Sequence, residues 1–150
     1  MVLPELRGIC FDIAAHLLAT CALAAGVYAR SRSLFYVALV FSSGVLVDLD
    51  HVVDSFIYDK KRFDIKGFFC CAYLRSGKTY IVLHSWELVI GIFIIGVVFS
   101  SAGAIIFSAG FAVHLFIDNL QRKNRFFYFL LYRVTRNFDA RVLLPEYFPE

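Results

Sequence analysis

The chain contains four long apolar segments, at residues 9–29, 34–58, 80–100 and 104–120. A bilayer core about 30 Å thick requires roughly 20 apolar residues of helix to cross it. The composition agrees, because 60% of the 150 residues are hydrophobic and only 18% are charged, which is too apolar for a soluble domain. The segments therefore predict an all-α fold, a polytopic membrane bundle of four transmembrane helices that forms a single domain over residues 1–150. Asp12 and His16 interrupt the first segment, so we expect a retained span and not a secretory signal.

Basic residues divide unevenly between the two ends of this predicted bundle. Of the 15 Lys and Arg residues, only Arg30 and Arg32 fall on the side of the short loops. By the positive-inside rule, both termini and the polar loop 59–79 are cytoplasmic. The tail 121–150 alternates aromatic with basic residues, which predicts a C-terminal interfacial helix in the lipid headgroup region. We therefore expect an integral protein of a bacterial or archaeal cytoplasmic membrane, with membrane lipid as its partner and without a nucleic-acid-binding module.

Every histidine of the chain has a carboxylate three or four residues away. The pairs are Asp12/His16, His51/Asp54, His84/Glu87 and His114/Asp118. An ionisable side chain in the hydrocarbon is costly unless it is paired or coordinates an ion, and residues three or four apart on a helix share a face. The up-and-down order of the segments places all four pairs at the cytoplasmic end of the bundle. This agreement in depth predicts a buried metal site.

The predicted metal ligands are His16, Asp48, Asp50, His51, His84, His114 and Asp118. Imidazole and carboxylate ligands suit zinc, manganese or iron, and we expect zinc, as one or two ions. The polar groups of the second segment spread over roughly 160° of helical arc, too wide for one ion. Three alternatives remain open at this point: two ions side by side, one carboxylate acting as an outer partner, or a distorted helix near Gly44.

Further residues near this cluster are candidates for catalysis and substrate binding. Glu87 or Asp54 would take a proton from metal-bound water. The alternative for Glu87 is an outer partner that holds His84 in one tautomer, and the alternative for Asp54 is an outer-shell or interfacial charge. Arg122, Lys123 and Arg125 follow the cluster by about one turn and would bind a phosphate, or would simply set the membrane topology.

The order of these motifs resembles a known family. The motifs are a histidine in the first segment, then Asp48-Leu49-Asp50-His51, then His84-Ser85, then His114-Leu115-Phe116-Ile117-Asp118. Over residues 12–118 the chain is similar to the membrane-bound metal-dependent hydrolases, also described as LexA-binding, inner-membrane-associated hydrolases. The resemblance implies a helical membrane bundle with a metal centre and hydrolytic activity.

The chain departs from the pattern of this family at two positions. Val47 stands where many members carry proline, and Thr79 stands where a histidine commonly precedes the His-Ser pair. The second departure leaves the number of ligands open. Either Glu87 or Asp12 compensates, or the centre holds one ion instead of two.

The predicted function is hydrolysis of a lipid ester or lipid phosphate by metal-activated water. The alternative is a divalent-metal or proton transporter that uses the same His and Asp residues as a transient binding station. Against a transporter, the ligands lie towards one face of the membrane, and four short helices leave little structure for alternating access. A homodimer would remove that objection. A membrane di-iron oxygenase usually requires more than the four histidines present here.

Overall fold

The computed structural model describes residues 6–48, 50–53, 74 and 76–148. The helices are α1 (Leu6–Ser31), α2 (Leu34–Val45), α3 (Trp86–Val98), α4 (Ala102–Gln121), α5 (Leu130–Thr135) and α6 (Ala140–Leu143). Two 3-10 turns lie at Leu46–Asp48 and Pro145–Tyr147. Within these described ranges there is no β-strand, and only one isolated bridge joins Lys78 to Asp139. The prediction of an all-α fold is confirmed.

Two tight turns make successive helices antiparallel neighbours. Arg32 adopts a φ of 53° between α1 and α2, and Ser100 adopts a φ of 51° between α3 and α4. The left-handed backbone at each position ends one helix and reverses the chain within a few residues. Ser101 then begins α4, because its side chain accepts a hydrogen bond from the backbone N–H of Ala104, the usual arrangement at a helix N-terminus.

Helix α4 lies at the centre of the fold and contacts α1, α2 and α3. The approach of α2 to α4 requires a glycine, since a Cβ at Gly110 would lie 2.1 Å from the Ser43 Oγ. The approach of α3 to α4 similarly requires Gly96, where a Cβ would lie 3.0 Å from the backbone nitrogen of Ile105. His114 follows Gly110 by four residues and therefore shares its face of α4. The close contact thus directs His114 towards α2.

Within the described residues, two of the four predicted spans are long and apolar enough to cross a membrane. They are Phe11–Ser31 in α1 and Ala102–Gln121, the whole of α4. Helices α2 and α3 are also apolar but contain 12 and 13 residues, which at 1.5 Å per residue is roughly 18–20 Å, short of the bilayer core. The apolar side chains of α1 point outward, with Phe11 and Leu18 more than 70% exposed.

The second and third predicted spans are interrupted. In the predicted 34–58 helix, α2 ends at Val45, a 3-10 turn follows, residues 50–53 are again helical, and residues 54–58 lie outside the described ranges. In the predicted 80–100 helix, α3 begins only at Trp86. The preceding backbone is bound in another way, because the Arg133 guanidinium donates to the carbonyls of Tyr80, Ile81 and His84 at 2.6–2.8 Å. Those carbonyls accept from a side chain, and the Ile81 carbonyl also accepts the His84 N–H at 3.1 Å in a turn.

The predicted single interfacial helix of the tail is wrong. Residues 124–148, here called the C-terminal lobe, contain the short helices α5 and α6 with a turn between them. Asn137 and Phe138 have φ values of 51° and 54° in that turn, a conformation that a continuous helix does not contain.

The C-terminal lobe packs onto the loop before α3. The Thr79 N–H donates to the Phe138 carbonyl at 3.1 Å, and the Trp86 N–H donates to the Tyr128 carbonyl at 3.0 Å. Phe127, Tyr128, Leu143 and Leu144 of the lobe join one hydrophobic core with Leu74, Ile81, Val89, Phe111 and Leu115. The lobe is therefore part of the fold that holds the residues just before α3 in place.

Candidate metal centre

Three histidine rings and two carboxylates converge at one end of the helices. His16 Nε2 lies 3.0 Å from Asp118 Oδ1, and His114 Nε2 lies 3.4 Å from Asp118 Oδ2. On the other side, Asp48 Oδ1 lies 3.5 Å from His84 Nε2 and 3.4 Å from His114 Nε2. The groups His16/His114/Asp118 and Asp48/His84/His114 each bring their ligand atoms within 4.8 Å of one another. The predicted convergence of the four polar clusters is confirmed for these five residues.

These five side chains come from four different elements. His16 belongs to α1, Asp48 to the 3-10 turn after α2, His84 to the turn before α3, and His114 and Asp118 to α4. His114 and Asp118 are four residues apart and therefore project from the same face of one helix. The predicted shared face of His84 and Glu87 is wrong, because His84 precedes the first residue of α3 and helical spacing does not apply to it.

The Nδ1 atoms of two histidines donate to backbone carbonyls. His114 Nδ1 donates to the Gly44 carbonyl at 2.8 Å, and His16 Nδ1 donates to the Asp12 carbonyl at 2.9 Å. The last carbonyls of a helix have no partner four residues on, so the end of α2 at Val45 leaves the Gly44 carbonyl for this contact. In a neutral ring whose Nδ1 carries the hydrogen, the Nε2 atom carries the lone pair. Both rings therefore present a metal-binding atom to the cluster.

Asp50 lies behind His84 and not among the converging atoms. Its Oδ2 accepts the backbone N–H of His84 at 2.9 Å and lies 3.4 Å from His84 Nδ1. A carboxylate on the second nitrogen of a metal-binding histidine is the common arrangement of an outer partner. Of the three alternatives for the second segment, the interrupted helix is observed, and the position of Asp50 fits that of an outer carboxylate. His51 lies beside the cluster, with its ring centroid 4.7 Å from that of His84, and belongs to neither candidate group.

The donor atoms fit a small divalent cation. Ligand atoms bound tetrahedrally at about 2.0–2.2 Å lie about 3.3–3.6 Å from one another. Here the Nε2 atoms of His84 and His114 lie 3.4–3.7 Å from the nearer oxygens of Asp48 and Asp118. The Nε2 atoms of His16, His84 and His114 are buried without a hydrogen-bond partner. Lone pairs that face carboxylate oxygens repel each other unless a proton or a metal ion lies between them, and one metal ion would serve several of these contacts at once.

One side of the cluster is open. The side chain of Asp48 is 55% exposed, whereas that of His84 is fully buried and that of Asp118 is 14% exposed. Metal sites that perform catalysis keep a coordination position open to water or substrate. Asp48 therefore marks the side from which a small molecule would approach.

The two predicted proton acceptors have different outcomes. Both carboxylate oxygens of Glu87 accept backbone N–H groups, from Leu130 at 2.9 Å and from Leu131 at 3.0 Å. These are the first N–H groups of α5, so Glu87 stabilises the start of that helix. Asp54 lies outside the described residues.

Of the three predicted phosphate-binding residues, Arg122 forms hydrogen bonds with side chains of the C-terminal lobe. Its Nε donates to the Tyr128 hydroxyl at 3.2 Å and its Nη1 to the Tyr147 hydroxyl at 2.8 Å. Lys123 and Arg125 are exposed.

Two important residues were missed from the sequence. Tyr128 is buried with its ring centroid 6.1 Å from that of His84, and Arg133 is the fully buried donor to the loop that carries His84. Both lie in an aromatic and basic stretch that resembles a membrane interface, and nothing in its composition distinguishes them from their neighbours.

The two positions at which the chain departs from the family pattern are buried. Val47 belongs to the hydrophobic core, and the backbone N–H of Thr79 donates to the C-terminal lobe. Thr79 belongs to neither candidate metal group. The candidate ligands are therefore the five converging residues, without a contribution from the position where the family carries a further histidine.

Comparisons of the chain with protein-family models, with curated proteins and with solved structures gave no match. The resemblance to membrane-bound metal-dependent hydrolases therefore rests on the motifs described above and remains a prediction. The geometry of the site is the basis for the function proposed next.

Proposed function

We propose that this protein is a membrane-embedded metal-dependent hydrolase that acts on a lipid ester or a lipid phosphate. The observation that carries the proposal is the convergence of three buried Nε2 atoms, each without a hydrogen-bond partner, on the carboxylates of Asp48 and Asp118. A buried polar atom without a partner costs about 1–3 kcal/mol. Three of them facing two carboxylates are more consistent with an ion-binding site than with a structural network.

The residues of the centre have distinct roles in this proposal. His84, His114, Asp48 and Asp118 would hold the ion, for which zinc is our first choice because its usual ligands are imidazole and carboxylate. When bound, such an ion lowers the pKa of water and polarises the bond to be cleaved. The half-exposed Asp48 lies where water and substrate would enter, and we propose that it accepts the proton of the attacking water.

His16 completes the centre from α1. Its Nε2 lies nearest to Asp118 Oδ1, whereas the Nε2 atoms of His84 and His114 lie nearest to Asp118 Oδ2, so the two oxygens of Asp118 have different partners. His16 would therefore bind a second ion, or orient Asp118 as an outer partner. Counting ions per chain distinguishes these two roles.

The membrane location supports a lipid substrate. Outward-facing apolar side chains of α1 and α3, such as Phe11, Leu18 and Val98, would contact hydrocarbon. This holds for a four-helix arrangement in which the shorter helices α2 and α3 also enter the bilayer. A large exposed apolar surface is typical of a membrane-facing protein. A substrate with an acyl chain would reach the centre from the lipid without leaving the bilayer.

The test is elemental analysis of detergent-purified protein after incubation with zinc, manganese or iron and removal of excess metal. Wild type should retain near-stoichiometric metal. Asp118→Asn should lose it, because an amide is a much weaker ligand than a carboxylate. Glu87→Gln makes the same chemical change at a carboxylate that caps α5, and should retain metal.

Metal binding would then justify the assay for the reaction itself. Metal-loaded protein is incubated with short-chain phospholipids and lipid phosphates, and released acid or phosphate is measured in wild type and in Asp118→Asn. Turnover by wild type alone supports the hydrolase. Retention of no metal by wild type contradicts the proposal. Movement of metal into sealed vesicles without any hydrolysis would instead support the transporter.

A further inference from the structure

We propose that Tyr128 is a ligand-binding residue of the metal centre, whose hydroxyl donates a hydrogen bond to an oxygen of a bound phosphate group, and that Arg122 is the positioning residue that holds this hydroxyl. The inference rests on the proposed function and names the substrate class of the same site. The phosphate could be a lipid headgroup or a free phosphate, and the experiment below separates these two sources.

Two contacts place the Tyr128 hydroxyl beside the centre. Arg122 is the first residue after α4 and follows the candidate ligand Asp118 by four residues. The Arg122 Nε donates to the Tyr128 hydroxyl oxygen at 3.2 Å. The Tyr128 ring lies at a centroid distance of 6.1 Å and an angle of 31° from the ring of His84. The hydroxyl is therefore held by the residue that follows α4, on a ring that lies beside the ring of His84.

The hydroxyl has a hydrogen to donate. Its oxygen accepts from Arg122, and within the described part of the chain no acceptor lies within hydrogen-bonding distance of its hydrogen. Tyr128 is 1% exposed, so the hydroxyl does not contact bulk water, and a ligand would reach it only from the side of the metal centre. Burial raises the pKa of the Tyr128 hydroxyl, which keeps the hydrogen in place at neutral pH. A buried donor next to an ion-binding cluster is suited to an oxygen of the ligand.

The neighbouring charge favours an anionic oxygen. Arg122 also donates to the Tyr147 hydroxyl at 2.8 Å and lies 3.8 Å from the Glu146 carboxylate, which fixes the orientation of its guanidinium. A donor that is itself bonded to a cation is a stronger donor, and hydrogen bonds to charged oxygens are the strong ones. Phosphate oxygens would bind the metal on one side and the Tyr128 hydroxyl on the other.

The test measures phosphate binding to the cobalt(II)-loaded full-length protein in detergent, followed by the visible spectrum of the cobalt. The probes are inorganic phosphate and dioctanoyl phosphatidic acid, with dioctanoylglycerol as the neutral lipid control. Tyr128→Phe removes only the hydroxyl. Tyr132→Phe is the matched control, because it makes the same change in the same lobe at a hydroxyl that accepts from Asn124.

The expected result is unchanged cobalt stoichiometry in both variants, with phosphate affinity about 10- to 100-fold weaker in Tyr128→Phe and unchanged in Tyr132→Phe. Arg122→Lys, which retains the charge but not the Nε donor, should weaken phosphate binding in the same direction. It provides the decisive comparison if Tyr128→Phe does not fold. Tighter binding of phosphatidic acid than of inorganic phosphate identifies the lipid headgroup as the ligand, and equal affinities identify free phosphate.

Four outcomes would overturn the inference. Unchanged phosphate affinity in Tyr128→Phe shows that the hydroxyl does not bind the ligand. If Tyr128→Phe does not fold, unchanged phosphate affinity in Arg122→Lys shows the same. Loss of cobalt from folded Tyr128→Phe shows that the residue supports the centre instead. Wild type that binds cobalt but no phosphate overturns the inference and leaves the metal centre intact, whereas wild type that binds no metal overturns the proposed function as well.

Discussion

Replacement of Asp50 by alanine separates an outer partner from a metal ligand. Asp50 Oδ2 accepts the His84 N–H at 2.9 Å and lies 3.4 Å from His84 Nδ1, so Asp50→Ala removes the group that orients the ring but none of the five converging residues. Loss of an outer partner typically costs 10- to 100-fold in metal affinity, which is about 1.4–2.7 kcal/mol. The buried His84 N–H also loses its shorter hydrogen bond, to a charged acceptor, and keeps the 3.1 Å contact with the Ile81 carbonyl, which lowers the free energy of unfolding by about 1–3 kcal/mol.

The assay is competition for zinc between the purified protein and a chelating dye, with the thermal unfolding of each apo-protein measured in the same detergent. Asp50→Asn is the matched control, because its amide oxygen still accepts the His84 N–H, and it should retain most of the affinity. At saturating zinc, Asp50→Ala should still bind as many zinc ions per chain as wild type. Asp50→Ala that no longer binds stoichiometric metal, as expected for Asp118→Asn, would refute the reasoning and make Asp50 a ligand.

Three further predictions concern stability and are measured by thermal unfolding in detergent. Gly110→Ala should destabilise the fold by about 1–3 kcal/mol, because the new Cβ would lie 2.1 Å from the Ser43 Oγ. Gly91→Ala, where no atom lies within 4 Å of the new Cβ, should stabilise α3 by about 0.5–1 kcal/mol. Equal effects at the two positions would contradict the close packing of α2 and α4. Glu87→Ala should lower the free energy of unfolding by about 1 kcal/mol and keep its metal. Loss of metal would show that Glu87 belongs to the metal centre. Arg133→Met should lower the free energy of unfolding by about 3 kcal/mol or more, since three hydrogen bonds from a charged donor are lost, although the Ile81 carbonyl keeps the His84 N–H. A neutral effect would show that the loop before α3 does not depend on the lobe.

The parts of the site that lie on regular helices could be predicted from the sequence. His114 and Asp118 are four residues apart within α4, so helical periodicity alone places them on one face. The alternation of apolar segments also predicts that the end of α2 and the end of α4 meet the beginning of α1. Helical periodicity and the reversal of the chain between helices therefore predict the part of the centre that α4 and the neighbouring helix ends contribute.

The remaining parts depend on tertiary contacts that no local pattern encodes. His84 lies in a turn that Arg133 holds from 49 residues further along the chain, and the role of Asp50 is set by a contact 34 residues away. The Tyr128 ring reaches His84 only because the C-terminal lobe folds back onto the loop before α3. The aromatic and basic composition of that lobe indicates a membrane interface equally well, so composition alone could not distinguish the two.

The central claim is that the converging histidines and carboxylates bind a metal ion, and X-ray absorption at the edge of the bound metal tests it most directly. Zinc-loaded wild type should show nitrogen and oxygen ligands at about 2.0–2.2 Å, with the outer-shell signature of at least two imidazoles and no sulfur. Asp118→Asn should have lost that signal. A metal bound through sulfur at about 2.3 Å, or a zinc environment identical in the two proteins, would contradict the assignment of this centre.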